Sequence, residues 1–233
     1  MNEEIECITE RLEEGGFVMV YDADEREDEV DLVTPSEKIT PQKIRTLRKD
    51  AGGLICVTVP PETWKKLKMP YLSDIFEDST DEYTLLSEMR ADDIPYDERS
   101  TFSLSVNHRD TFTGITDLDR ALTIQRFAKL AVELEESSTE KAQKMFGEEF
   151  RAPGHVFLLN ATEGLTSKRE GHTELTTALL KFTDLYPSMT ICEMISDEGD
   201  SLDEEEARIY GEENDIPLIE GKNIKEAMKG KHV

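Results

Sequence analysis

The chain has 233 residues, 37% of them apolar, which is enough to close one substantial hydrophobic core without demanding a second domain. Its 52 acidic against 27 basic residues give a formal charge of −25, which repels a phosphate backbone and argues against a nucleic-acid partner. The longest apolar stretches, 53–59 and 155–159, are far shorter than the ~20 residues of a membrane-spanning helix. The start at Asn2, Glu3 and Glu4 lacks the basic and apolar parts of a secretory signal, so a cytoplasmic protein is expected. Cys7, Cys56 and Cys192 are widely spaced and odd in number, and are read as reduced thiols. The acidity itself reads as a solvated surface; a phosphorylated ligand would need positive potential from a few Arg residues, a metal or a helix N-terminus.

Ile5, Ile8 and Leu12 fall at helical spacing before Gly15-Gly16, which predicts a helix over 3–14. A strand over 17–21 runs into a dense acidic loop over 22–31. Thr40-Pro41 supplies an N-cap and a first-turn proline for a helix over 41–50, followed by a buried strand over 54–59 and a short helix over 62–68. The acidic window 70–100 reads as irregular, with about 75–95 favoured as a surface insertion over a lid or helical hairpin. Phe102, Leu104 and Val106 alternate with Ser103 and Ser105 as a strand, and Asp117 is the expected cap of a helix to Leu134. A Pro153-Gly154 turn precedes a strand over 156–159, a helix spans 172–185 and a strand spans 190–195. The tail reads helix, short strand (217–219), helix, and no internal repeat is found. The fold class is α+β: one domain, a mixed sheet flanked by helices.

Three segments carry candidate chemistry. In Asp22 to Asp31, seven carboxylates crowd one Arg directly after a strand, which suits either a divalent cation with oxygen ligands or a solvated acidic turn. Lys168-Arg169-Glu170-Gly171-His172-Thr173-Glu174 opens an amphipathic helix and has the parts of an anion site, or of a well-capped helix with a surface His. Arg151-Ala152-Pro153-Gly154-His155 delivers an imidazole to the start of a strand, and Glu193 stands within an apolar strand. A buried carboxylate either finds a partner or takes a raised pKa suited to proton transfer; a water-facing Glu193 and a structural His155 are the plain alternatives.

Taken together these segments resemble 3,4-dihydroxy-2-butanone 4-phosphate synthase along nearly the whole chain. The matching stretches, in the family's order, are 24–29 with Asp31, Gly53-Leu54-Ile55-Cys56, Thr113-Gly114-Ile115-Thr116 with Asp119-Arg120, 151–157, 169–174, and Cys192-Glu193. Asp28, Val30 and Phe112 depart from the family's usual Asn, Gly and Thr, and Val30 is the departure expected to disturb the loop, since it adopts positive φ less readily than Gly. The resemblance implies one catalytic domain over 1–233, with no cyclohydrolase-type domain expected after it. It implies conversion of D-ribulose 5-phosphate to L-3,4-dihydroxy-2-butanone 4-phosphate and formate, with one or two Mg2+ or Mn2+ ions per site on Glu27 and His172. Substrate contacts are implied for Arg26, Glu27, Asp31, Thr113, Arg169, Glu170, Gly171, His172 and Thr173, with Arg169 and Thr173 suited to the phosphate. Catalysis is implied for His155 and Glu193, with Asp31 and Cys56 as further acid-base candidates. A homodimer with sites at the interface is also implied, in which His155 reaches the partner's site. The competing readings are another metal-dependent sugar-phosphate isomerase or aldolase, and a non-catalytic acidic binding protein.

Overall fold

The computed structural model describes residues 3–23, 26–91, 93–97 and 99–230; Asp24 and Glu25 of the acidic segment, and Asp92 and Glu98 of the acidic window, lie outside the described residues. In chain order the elements are α1 (Glu3–Glu13), β1 (Val18–Tyr21), β2 (Val30–Pro35), α2 (Pro41–Asp50), β3 (Cys56–Val59), α3 (Pro61–Leu67), α4 (Leu72–Asp78) and α5 (Leu85–Glu88). They continue as β4 (Phe102–His108), α6 (Asp117–Leu134), α7 (Thr139–Glu149), β5 (Phe150–Asn160), α8 (His172–Leu180), β6 (Met189–Glu193), α9 (Glu204–Asn214), β7 (Leu218–Glu220) and α10 (Gly221–Gly230).

The seven strands form one mixed sheet in the order β4-β5-β3-β6-β2-β1-β7. The interior strands β1, β2, β3 and β6 are mostly apolar and almost wholly buried on both faces, so alternate residues feed two cores. Met19, Leu32, Val57 and Cys192 point into one core, and Val18, Val20, Val33 and Ile191 into the other. The first core is closed chiefly by α2 and α6, where Phe127 meets Phe146 and Phe150 edge to face. The second is closed by α1, α8 and α10. Every residue of α8 is buried, because the sheet covers one side and α1 and α10 the other. No helix among the described residues is long and apolar enough to cross a membrane.

Several sequence expectations are corrected. The acidic loop ends at Glu29: Val30 and Asp31 belong to β2, paired with Tyr21 and Val20. The positive φ in this loop falls on Asp28 (55°), so Val30 sits in extended backbone without strain. Thr116 rather than Asp117 caps α6, accepting from Asp119 N at 3.1 Å. Pro153-Gly154 is a bulge inside β5 rather than a turn before it: Val106 pairs Val156 while the adjacent Asn107 pairs Arg151, leaving 152–155 looped out. A second irregularity in β4 turns Phe102 away from Leu104 and Val106, onto Phe157 of the other core. The helix expected over 172–185 stops at Leu180.

Phe127 anchors the helical face of the first core. Phe127→Ala is expected to cost about 3–5 kcal/mol of unfolding free energy, read from the urea midpoint; a loss below ~1 kcal/mol would mean that this aromatic cluster is not a stabilising unit.

Candidate active site

β1 ends, β2 begins and β6 ends at one edge of the sheet, and the N-terminus of α8 lies over that edge. Asp31 pairs with Glu193 across adjacent strands and shares the face that α8 covers. His172, the first residue of α8, therefore lies above them, with Nδ1 3.7 Å from Asp31 Oδ1 and 3.3 Å from Glu27 Oε2. Its other nitrogen, Nε2, is 3.1 Å from the Val20 carbonyl, an acceptor that holds a proton on Nε2 and turns Nδ1 toward the carboxylates. Glu27 is delivered by a turn that Asp22 fastens: the Asp22 carboxylate accepts Glu27 N at 3.1 Å and Glu29 N at 3.2 Å.

Charge in this pocket is shaped by burial. Asp31 is pushed up to about 8 by burial, reinforced by Glu193, Glu27 and Glu29 and opposed by His172. Glu193 is also raised, first by burial and then by Glu29 and Glu27. Burial works against a charged His172, but Asp31, Glu27 and Asp22 outweigh it and lift the imidazole to about 10. Glu27 goes down: burial alone would raise it, and the His172 bond together with Arg169 and Arg26 more than compensates. Such a set fits a divalent cation. Asp22, Glu27 and His172 each offer a ligand atom within 4.8 Å of the others, and the buried Asp31 Oδ1 has no hydrogen-bond partner among the described residues.

Beside this cluster lies a pair of guanidinium groups. Gly171 is the N-cap of α8, and a Cβ there would fall 2.2 Å from Arg169 Nη1, so glycine lets the Arg169 side chain fold across the helix start. Arg169 binds the fully buried Glu174 at 2.6 Å, and Glu174 also accepts Thr162 N at 2.7 Å. Asp97 bridges the two arginines, at 2.5 Å from Arg169 and 3.0 Å from Arg26. The acidic window buries none of the residues of its two helices, and only its end reaches the site. It contains α4 and α5, and its end lays Ile94, Tyr96 and Asp97 over a cavity of about 200 Å³ lined also by Glu27, Asp31, His172, Thr173 and Glu193. Thr173 Oγ1 is fixed 3.2 Å from Thr101 Oγ1.

The sequence candidates divide. Arg26, Glu27, Asp31, Arg169, His172, Thr173 and Glu193 come together, with Gly171 beside them. Cys56 is buried in β3, and burial, then Glu193 and Asp31, push its thiol well up, which suits packing more than proton transfer. Glu170 turns to Lys225 of α10 at 2.6 Å. His155 and Thr113 stand apart from the cavity on an exposed rim, joined through Asn107. Sequence reasoning missed Asp97, Glu174 and Asp22 as individual site residues. The acidic Glu174 directly after the Arg-Glu-Gly-His-Thr run was the available signal, whereas nothing in the window singled out Asp97.

Residues 6–227 match the family described as 3,4-dihydroxy-2-butanone 4-phosphate synthase. The chain belongs to that family. A synthase of this name from Methanosarcina mazei is 44% identical over 229 residues, covering 97% of this chain and 91% of the relative. One from Methanothermobacter thermautotrophicus is 46% identical over 217 residues, covering 93% and 92%. Among solved structures, the Candida albicans synthase superposes with a TM-score of 0.72 at 27% identity over 96% of each chain. A synthase in complex with two magnesium ions shares the fold, with a TM-score of 0.76 at 22% identity over 97% of each chain.

Asp97 is the tie between the window and this edge. Asp97→Asn keeps the shape and removes the charge that both arginines share, so amide hydrogen exchange over 93–101 is expected to quicken about tenfold, with the core strands unchanged. Unaltered exchange there would mean that the bridge does not hold the segment.

Proposed function

We propose that the chain converts D-ribulose 5-phosphate to L-3,4-dihydroxy-2-butanone 4-phosphate and formate, supplying the four-carbon unit of riboflavin in the cytoplasm. The observation that carries this reading is the convergence of Glu27 and His172, 145 positions apart in the chain, over the paired Asp31 and Glu193. The four-carbon phosphate and formate together contain all the atoms of the substrate, so the overall reaction needs no external oxidant or reductant.

Glu27 and His172 hold the cation, Mg2+ or Mn2+, with one or two ions per site, and Asp22 keeps the Glu27 turn in register. When bound, the cation supplies a Lewis acid for the carbonyl and neighbouring hydroxyl oxygens of the sugar. Asp31 and Glu193 carry protons: burial raises both, Asp31 to about 8, which brings it close to neutral pH, as proton abstraction next to a carbonyl and its return require. Arg169 and Thr173 receive the phosphate, and Arg26 and the backbone at Gly171 complete the anion-binding wall at the start of α8. These few cations supply the local positive potential that a chain of net charge −25 needs for an anionic substrate.

The reading includes a homodimer. His155 and Thr113 lie outside the cavity of their own subunit, and the neighbouring Phe112, Ile115 and Leu118 are exposed, Phe112 at 94%. A second copy seated on that apolar rim lets His155 and Thr113 complete the partner's cavity.

Incubation with ribulose 5-phosphate and magnesium is expected to release formate in step with loss of substrate, and chelation is expected to stop it. Substrate isomerised or cleaved without formate from folded, metal-loaded protein would mean a different sugar-phosphate reaction. Glu27→Gln is expected to lose at least ~100-fold in kcat/KM, with weaker Mg2+ binding by calorimetry. His155→Ala mixed with Glu27→Gln under subunit exchange is expected to regain activity at about a quarter of the sites. Proven exchange with no recovered turnover would rule out the shared site.

A further inference from the structure

We infer that Asn107 is the positioning residue of His155, holding the imidazole in the neutral tautomer whose proton is on Nε2. The inference rests on the reading of His155 as a working residue of the reaction.

Asn107 is a buried amide at the point where β4 meets the β5 bulge. Gly154 lies so close to β4 that a Cβ would stand 2.0 Å from the Val106 carbonyl carbon, so the bulge brings the His155 backbone directly against Asn107. Two backbone groups orient the amide. His155 N donates to Oδ1 at 2.9 Å, and Nδ2 donates to the Thr113 carbonyl at 3.4 Å; a backbone N–H only donates and a carbonyl only accepts, so the oxygen and nitrogen cannot be exchanged.

With the amide so oriented, Nδ2 is 3.1 Å from His155 Nδ1, closer than Oδ1 at 3.3 Å. With the shorter contact taken as the hydrogen bond, Nδ2 donates its second hydrogen to Nδ1, which leaves the ring proton on Nε2. The imidazole then offers an N–H to a substrate oxygen instead of a lone pair to a substrate proton. Asn107 also carries the neighbouring loop: Gly114, at φ 93°, packs so tightly that a Cβ would stand 2.1 Å from Asn107 Nδ2. Asp119 secures that loop from the other side by accepting Gly114 N at 2.8 Å. One buried amide thus sets His155 and Thr113 in a fixed relation before any substrate arrives.

The test is 15N NMR of histidine-labelled, magnesium-loaded protein, with His155 assigned from His155→Gln. In the unsubstituted protein His155 is expected to carry its proton on Nε2 and to have a bare Nδ1. Asn107→Asp keeps an acceptor for His155 N but cannot donate, so the proton is expected to move to Nδ1, with kcat for formate release falling tenfold or more and KM within about twofold. Asn107→Ser, too short to reach Nδ1, is a second variant should the Asp form fail to fold, and is expected to give a mixture of tautomers. A proton on Nδ1 in the unsubstituted protein, or a tautomer unmoved by both substitutions, overturns the inference. Full activity in His155→Gln would instead overturn the reading of His155 as a working residue, while the NMR result still decides what Asn107 does.

Discussion

Two carboxylates held side by side beneath a buried imidazole are the constraint on which the rest of this structure depends. Asp31 and Glu193 face each other across β2 and β6, and the exposed fraction of Asp31 is 1%. Burying like charges at that spacing is costly unless positive charge sits beside them or they take up protons. The fold supplies the first through His172 and the N-terminus of α8, and leaves Glu27 and Asp22 converging on the same point. That is a polar interior which a divalent cation relieves, and it explains why α8 is packed on every side: a helix free to move by an ångström would leave charges unpaired.

The arginines extend the same balance outward. Arg169 ties the buried Glu174 to the helix start, and Asp97 shares its carboxylate between Arg169 and Arg26. An acidic window that looks like surplus surface thereby becomes part of the electrostatic fabric of the cavity, because its Asp97 holds the two guanidinium groups beside each other. Tyr96 adds its ring to the Arg26 guanidinium at 5.9 Å, so the contact is both ionic and aromatic.

A second polar centre, around Asn107, is built from backbone irregularity rather than from charge. The β5 bulge, the close approach of Gly154 and the positive φ of Gly114 bring three separate stretches onto one amide. It lies outside the cavity lined by Glu27 and His172, on the rim where Phe112 is exposed.

Much was legible along the chain. Period-2 and period-3.6 patterns, the Thr40-Pro41 start and the acidic turn after β1 are local signals, so α1, β1, α2, β3 and the tail came close to their observed limits, and family motifs marked Glu27, His172 and Glu193. Local pattern failed where pairing partners decide: Asp31 is a strand residue because Val20 and Glu193 pair with it, and Pro153-Gly154 lies within a strand because β4 continues past the bulge. Composition alone settled that a chain of charge −25 must concentrate its few cations to hold an anion. Only tertiary structure could decide that Asp97 bridges two arginines and that Asn107 meets His155 48 positions away, because a hydrogen bond between distant residues leaves no periodic trace in either segment.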